Sequence, residues 1–166
     1  ARARAVRARG RHRDAPWPAV QFVIAGEGRE LPGLTRLVGA LGLDRAVTLA
    51  RDLTAYEDVL DALDVVVQSS QVDVSGYSIL EAMGHGRPVI AFNTGTACEI
   101  IEDRRTGLLV PKGEVEALAG AMESLIGNPS MARQMGQNAR QAVRDKFDVR
   151  TLARQTLDYY TQLLSR

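Results

Sequence analysis

The run Val65-Val66-Val67 constrains the fold more than any other part of this sequence. Three β-branched residues in succession favour an extended backbone. Strand side chains alternate between faces, so an unbroken apolar run must be covered on both sides. Val89-Ile90-Ala91-Phe92, entered through Pro88, is a second covered run; Val20 to Ala25 and Gly107-Leu108-Leu109-Val110 read as further strands, and Ala46 to Ala50 as another short one. Helical spacing fills the intervals. Leu31, Leu34, Leu37, Val38 and Leu41 recur on one face, with Gly42 as a stop. Thr54-Ala55-Tyr56-Glu57 has the form of a capping box opening a helix that carries Val59, Leu60 and Leu63. Ala97 to Ile101 is a short helix after the turn Asn93-Thr94-Gly95-Thr96. Alternation of strands and helices implies parallel strands, right-handed crossovers and helices on both faces. The expected fold class is an α/β, Rossmann-like parallel sheet.

Beyond Pro111 the pattern is helical. Val115, Leu118, Ala119, Met122, Leu125 and Ile126 form one stripe, ended by Gly127-Asn128-Pro129, with Pro129 suited to the first turn of the next helix. Met131, Met135, Ala139 and Val143 line that helix. Asp148 caps a third, whose Val149, Leu152, Ala153, Leu157, Tyr160 and Leu164 are expected inside. These Met and Tyr positions read as core rather than as cofactor contacts.

A chain of 166 residues is long enough for one domain with a real core. No internal repeat or second domain is visible, so residues 1–166 are treated as one unit. Its net charge of +1 favours no class of partner. The exception is local: Ala1 to Arg13 carries six arginines before the first acid, Asp14. That run reads either as the exposed face of a helix that the chain enters partway, or as an arm for nucleic acid. The expectation adopted is the helix, with no nucleic-acid partner, in a domain cut from a larger protein. Cys98, the single cysteine, excludes an intramolecular disulfide and a cysteine-based zinc cage. His12 and His85 are too few for a histidine-rich metal site. No apolar run approaches the roughly 20 residues that span a bilayer, and no signal peptide is recognisable.

In folds of this class ligands sit beyond the carboxyl ends of the strands. The loops there begin at Gly26, Arg51, Ser69, Asn93 and Pro111. Gly26-Glu27-Gly28 is half of a dinucleotide fingerprint, with Leu31 where a third glycine would stand. It reads equally as a turn at positive φ and as a backbone that lets a ligand come close. The stretch Ser69 to Pro88 is richer. Gly76 lets the chain fold tightly, and the amides of Tyr77, Ser78 and Ile79 are expected unpaired at a helix start, where a diphosphate is favoured. Glu81 follows one turn later, placed to accept from ribose hydroxyls. The competing reading is that Ser78-Ile79-Leu80-Glu81 is itself a capping box, with Glu81 returned to a backbone amide. Asp73, eight positions before Glu81, is either a solvated loop residue or a contact for a sugar.

The segment resembles the Glu-x7-Glu motif of GT-B retaining glycosyltransferases of the family 4, or group 1, type. Phe22-Val23-Ile24-Ala25-Gly26-Glu27-Gly28 is similar to the family's strand and glycine turn. Asp44 to Leu49 is similar to the strand that follows the next helix. Leu80-Glu81-Ala82-Met83-Gly84-His85-Gly86-Arg87-Pro88-Val89-Ile90-Ala91 follows its most recognisable run, continued by Thr94-Gly95 with Glu99 and by Thr106 to Pro111. The likeness covers about Ala19 to Arg166. It implies the C-terminal half of a GT-B enzyme, which binds an NDP-sugar and passes the sugar to an acceptor hydroxyl with retention. By this likeness Glu81 holds the donor ribose, Gly76 and the following amides hold phosphate and sugar, Gly26 and Gly28 approach the donor, and Asp73 takes the catalytic first-glutamate position. No cofactor or metal is implied. The implied partners are the donor, a separate N-terminal acceptor domain, and a sugar or lipid-linked acceptor. The implied location is the cytoplasm, including the inner membrane face. The resemblance also implies a diphosphate-binding arginine and lysine, and a first strand, upstream of this chain; the last helix, Asp148 to Arg166, resembles the one that crosses back to the other domain.

Departures are specific. Asp73 is one methylene shorter than glutamate, Val74 and Ser75 replace a glycine and an aromatic, and Thr96 replaces the second glycine of a pair. They leave two alternatives in view: a nucleotide-sugar-binding module with impaired catalysis, and a GT-B sugar-nucleotide epimerase, which the shortage of histidine disfavours. The isolated chain is expected to lack transferase activity and to bind nucleotide weakly at most. His85 is read as a helix-end residue.

Overall fold

The structure, a computed structural model, describes residues 6–11, 18–51, 56–71 and 75–165. Strand β1 (Val6–Arg11) pairs antiparallel with β2 (Pro18–Ala25), and β2 pairs in parallel with β3 (Val47–Ala50). A second set, β4 (Val66–Gln68), β5 (Val89–Phe92) and β6 (Gly107–Val110), is parallel throughout in the order β4-β5-β6. Helices α1 (Leu31–Ala40), α2 (Tyr56–Ala62), α3 (Tyr77–Gly84) and α4 (Ala97–Ile100) connect the strands. Helices α5 (Val115–Gly127), α6 (Pro129–Lys146) and α7 (Val149–Leu164) complete the chain.

Within the basic start, the described residues Val6–Arg11 are therefore a strand and not a helix. Val6, Ala8 and Gly10 alternate with Arg7, Arg9 and Arg11. That is a period of two, and it belongs to a strand. The expectation of a helix there weighed the residues' helix propensity and missed their spacing.

The covered strands behave as their composition requires. Val66, Val89 and Ala91 face one core with Leu60 of α2 and Leu63 just after it, Ile79, Ala82 and Met83 of α3, and Ala139 of α6. Val65, Val67, Ile90, Phe92 and Val110 face the other, with Leu125 of α5 and Ala132 and Met135 of α6. Val23 packs against the first core, Val20 and Phe22 against the second, so β2 continues the layer made by β4-β5-β6. Helix α6 feeds both cores: its first turns reach one face and its later turns the other. Where it passes the end of α3, the Gly86 carbonyl lies so close to Gly136 that a Cβ at Gly136 would collide with it.

Helix ends follow local chemistry. The Asn128 Oδ1 accepts from the Met131 amide at 3.1 Å, with Pro129 in the first turn of α6. The Asp148 carboxylate accepts from the Arg150 and Thr151 amides at 3.1 Å each. Thr54, the expected cap of α2, lies outside the described residues.

The last helix departs from expectation. Val149, Leu152, Leu157, Tyr160 and Leu164 are all exposed, Leu157 to 65% and Leu164 to 90%. Val115 on α5 and Met131 on α6 are exposed as well, although Met135 and Leu125 are core. Amphipathic spacing shows that a helix has an apolar face; it does not show that this chain covers it.

Candidate functional site

The loop after β4 begins at a buried polar residue. Gln68 is only 5% exposed, and its Nε2 donates to Ser70 Oγ at 3.3 Å. The chain then reaches Gly76, the N-cap of α3, at φ 63. That left-handed conformation favours glycine. Space demands it too, since a Cβ would strike Ile100 Cδ1 and stand 3.2 Å from Thr96 Oγ1. Ile100 and Thr96 belong to the turn and helix after β5, so Gly76 is where that loop and the head of α3 meet.

Gly76 itself being the N-cap changes the local reading. Ser78 lies within the helix with its side chain buried, and α3 has no side-chain cap. The capping box Ser78 to Glu81 does not form. Glu81 is exposed, and among the described residues its carboxylate has no hydrogen bond or ion pair. Of the three amides expected to be unpaired, Ile79 N is taken: it donates to the Gly76 carbonyl at 3.0 Å, as does Leu80 N. Tyr77 N and Ser78 N have no acceptor among the described residues and stand at the positive end of α3. Tyr77 is 70% exposed, four residues before Glu81 and on the same side of the helix.

Gly26 and Gly28 follow β2 with φ 138 and 150, conformations open to glycine, and Gly26 N donates to the Ala50 carbonyl at 3.0 Å. Asp73, with Val74, lies outside the described residues. Thr96 was legible only as a departure from a glycine pair. Its hydroxyl is buried without a hydrogen-bond partner among the described residues and lies beside Gly76.

The far end of α3 is tied down. His85 caps it through its amide to the Glu81 carbonyl at 3.0 Å, and its Nδ1 meets Asp61 Oδ1 at 2.8 Å. Arg87 Nη2 donates to the Asp61 carbonyl at 2.9 Å. The hydrogen bond from His85 holds the Asp61 carboxyl below its ordinary range, with Arg87 adding to the effect. Helix α3 thus has a fixed base, and at its head two amides, Tyr77 N and Ser78 N, without an acceptor among the described residues. Among the described residues, no three His, Cys, Asp or Glu side chains converge as metal ligands.

A parallel α/β layer, a left-handed glycine at a helix head, and two amides and a carboxylate without partners among the described residues together have the form of an anion site above strand ends. The family follows from comparison. Residues 10–142 match the model of the glycosyl transferases group 1, and the chain belongs to that family. It is 31% identical over 145 residues to the alpha-D-kanosaminyltransferase of Streptomyces kanamyceticus, covering 86% of this chain and 38% of that protein. It is 29% identical over 143 residues to the poly(ribitol-phosphate) alpha-N-acetylglucosaminyltransferase of Staphylococcus aureus, covering 86% of this chain and 29% of that one. Among solved structures, Anabaena HepE in complex with UDP superposes with a TM-score of 0.80 at 26% identity, over 86% of this chain and 41% of that chain. The chain thus spans well under half the length of these relatives. The fold is that of GT-B glycosyltransferases: an α/β layer flanked by helices and followed by C-terminal helices.

Proposed function

We propose that this chain is the donor-binding half of a two-domain glycosyltransferase, and that its ligand is a nucleoside-diphosphate sugar. The observation that carries the reading is the Glu81 carboxylate standing one turn behind the Tyr77 and Ser78 amides, none of the three having a partner among the described residues. A diphosphate accepts from those amides and gains from the helix dipole. The ribose that follows brings two adjacent hydroxyls, which a carboxylate accepts as a pair. Gly26 and Gly28 let the backbone after β2 approach the donor. HepE, in the complexes of similar fold, is bound to UDP, which favours uridine among the possible bases.

Transfer follows from the same groups. As the anomeric bond breaks, negative charge builds on the leaving diphosphate. Fixed amides aimed at it lower that barrier without reorganising, which is electrostatic catalysis. The reading calls on no metal. Asp73 is assigned to the transferred sugar and the reaction centre by its position in the family motif, with retention of configuration. The acceptor, a sugar or a lipid-linked sugar, belongs to a second domain. The uncovered apolar face of α7 supports a larger assembly of this kind, in the cytoplasm or at the inner face of a membrane. Isolated residues 1–166 bind the donor without turning it over.

Amide NMR tests the placement. Addition of UDP shifts the Tyr77 and Ser78 amide resonances more than those of Ile79 and Leu80, whose protons are already bonded. Uniform small shifts along α3, or none, refute it.

A further inference from the structure

We propose that the chain carries a second ligand site, at the end of the sheet opposite Gly76 and Glu81, and that it takes a small organic anion with an apolar body. A cavity of about 410 Å³ opens where β4 and β5 begin, against the turn between α5 and α6. Small-molecule sites occupy roughly 300–1,000 Å³, so a metabolite-sized ligand fits. Val65, Pro88, Leu125, Ile126 and Ala132 give the cavity an apolar wall. The backbone around it is preset. Pro88 enters β5, Pro129 opens α6, and Gly136 of α6 packs so closely on the Gly86 carbonyl that no Cβ fits between them. A ligand therefore meets walls that need little ordering.

The charged groups decide the class of ligand. Arg87, just before β5, and Arg133, in the second turn of α6, both line the cavity. Arg133 has no ion pair among the described residues. Arg87 is committed at one end only. Its Nη2 donates to the Asp61 carbonyl at 2.9 Å and lies 3.8 Å from the Asp61 carboxylate. Its Nε is buried with no hydrogen-bond partner among the described residues. A buried, charged N–H without an acceptor is costly, and an acceptor in the cavity removes that cost. Asp64 is the one acid on the lining, and it is already engaged. The first turns of α6 form part of the wall, so the helix dipole adds to the attraction for an anion. An inorganic anion leaves the apolar wall wet, and a neutral apolar molecule leaves Arg87 Nε without an acceptor. A carboxylate or phosphate carried on a ring satisfies both.

Titration of the 166-residue chain, followed by amide NMR, tests the site. The probes are phenyl phosphate and benzoate, with inorganic phosphate and phenol as their separate halves. A ring-bearing anion gives saturable shifts at the Val65, Arg87, Ala132 and Arg133 amides, and inorganic phosphate and phenol bind there at least ~10-fold more weakly. Whichever of phenyl phosphate and benzoate binds more tightly assigns the head group. Arg133→Ala weakens that binding by ~10-fold or more, the scale of one charge-assisted contact. Arg87→Lys, which keeps the charge but has no Nε–H, weakens it as well. Circular dichroism checks that both variants keep the fold. Four results overturn the inference: no saturable shift with either ring-bearing anion, shifts confined to Tyr77 and Ser78, equal affinity for phosphate and phenyl phosphate, or unchanged affinity in either variant. The donor reading is tested at other residues by another ligand, so each stands or fails without the other.

Discussion

Replacing Gly76 with alanine tests the architecture of the site at its most constrained atom. Two costs follow from the structure. At φ 63 an alanine pays about 1 kcal/mol for its Cβ. The same Cβ strikes Ile100 Cδ1, a buried side chain, and displacing a packed core group costs a further ~1–3 kcal/mol. The sum, about 2–4 kcal/mol, is a large part of the roughly 5–15 kcal/mol that holds a domain together. Urea unfolding reads it as a midpoint lowered by on the order of 1–2 M. The two costs separate in a double-mutant cycle. In an Ile100→Ala background the collision is gone, so Gly76→Ala costs only about 1 kcal/mol there, and the difference is the coupling energy. A Gly76→Ala variant within about 0.5 kcal/mol of the parent refutes the packing argument. Equal costs in both backgrounds refute the role given to Ile100.

Other outcomes follow from single residues. Arg104 is the one non-glycine residue at positive φ among the described residues, at 63, and is exposed; Arg104→Gly raises stability by about 0.5 kcal/mol in the same assay, strain relief exceeding the added chain entropy. The Asp103 carboxylate accepts from Leu109 N at 2.9 Å along the outer edge of β6, so Asp103→Ala costs about 1–2 kcal/mol by denaturation and Asp103→Asn less. Glu102 bonds Lys146 Nζ at 2.5 Å and Arg105 Nη1 at 2.6 Å, and these bonds hold its carboxyl below the ordinary 4.5. Its contribution to stability is present above that value and is lost as pH falls through the lower, folded-state pKa; acid titration of Glu102→Gln shows a shallower decline below pH 4.5. Leu125→Ala costs about 3 kcal/mol and Leu157→Ala under ~0.5, since the first side chain is core and the second is bare.

The sheet was legible because its strands are covered on both faces. Val65 to Val67 and Val89 to Phe92 have no other stable use in a domain of this size. Asp148 and Pro129 marked helix starts by chemistry that acts within a few residues. Three features are set by the fold and not by local pattern. The basic start has a strand's period under a helix former's composition. The Ser78–Glu81 pattern satisfies the spacing of a capping box, yet a left-handed glycine two residues earlier already ends the loop and turns Ser78 inward. The amide of Ile79 is consumed by the Gly76 carbonyl because the first turn closes tightly. Spacing along a chain does not fix where the first helical residue falls, and a shift of two residues decides which amides are free. The bare face of α7 was beyond sequence for a different reason: periodicity describes a helix's own face and is silent on its partner.

The account stands on Glu81, and calorimetry with UDP tests it most directly. Two hydrogen bonds to an ionised carboxylate contribute a few kcal/mol when both are made, so Glu81→Ala weakens UDP binding by at least ~10-fold and Glu81→Gln by less. Stability is unchanged in both variants, because the side chain is exposed and unpaired. An alanine variant that binds UDP as tightly as the parent contradicts the account.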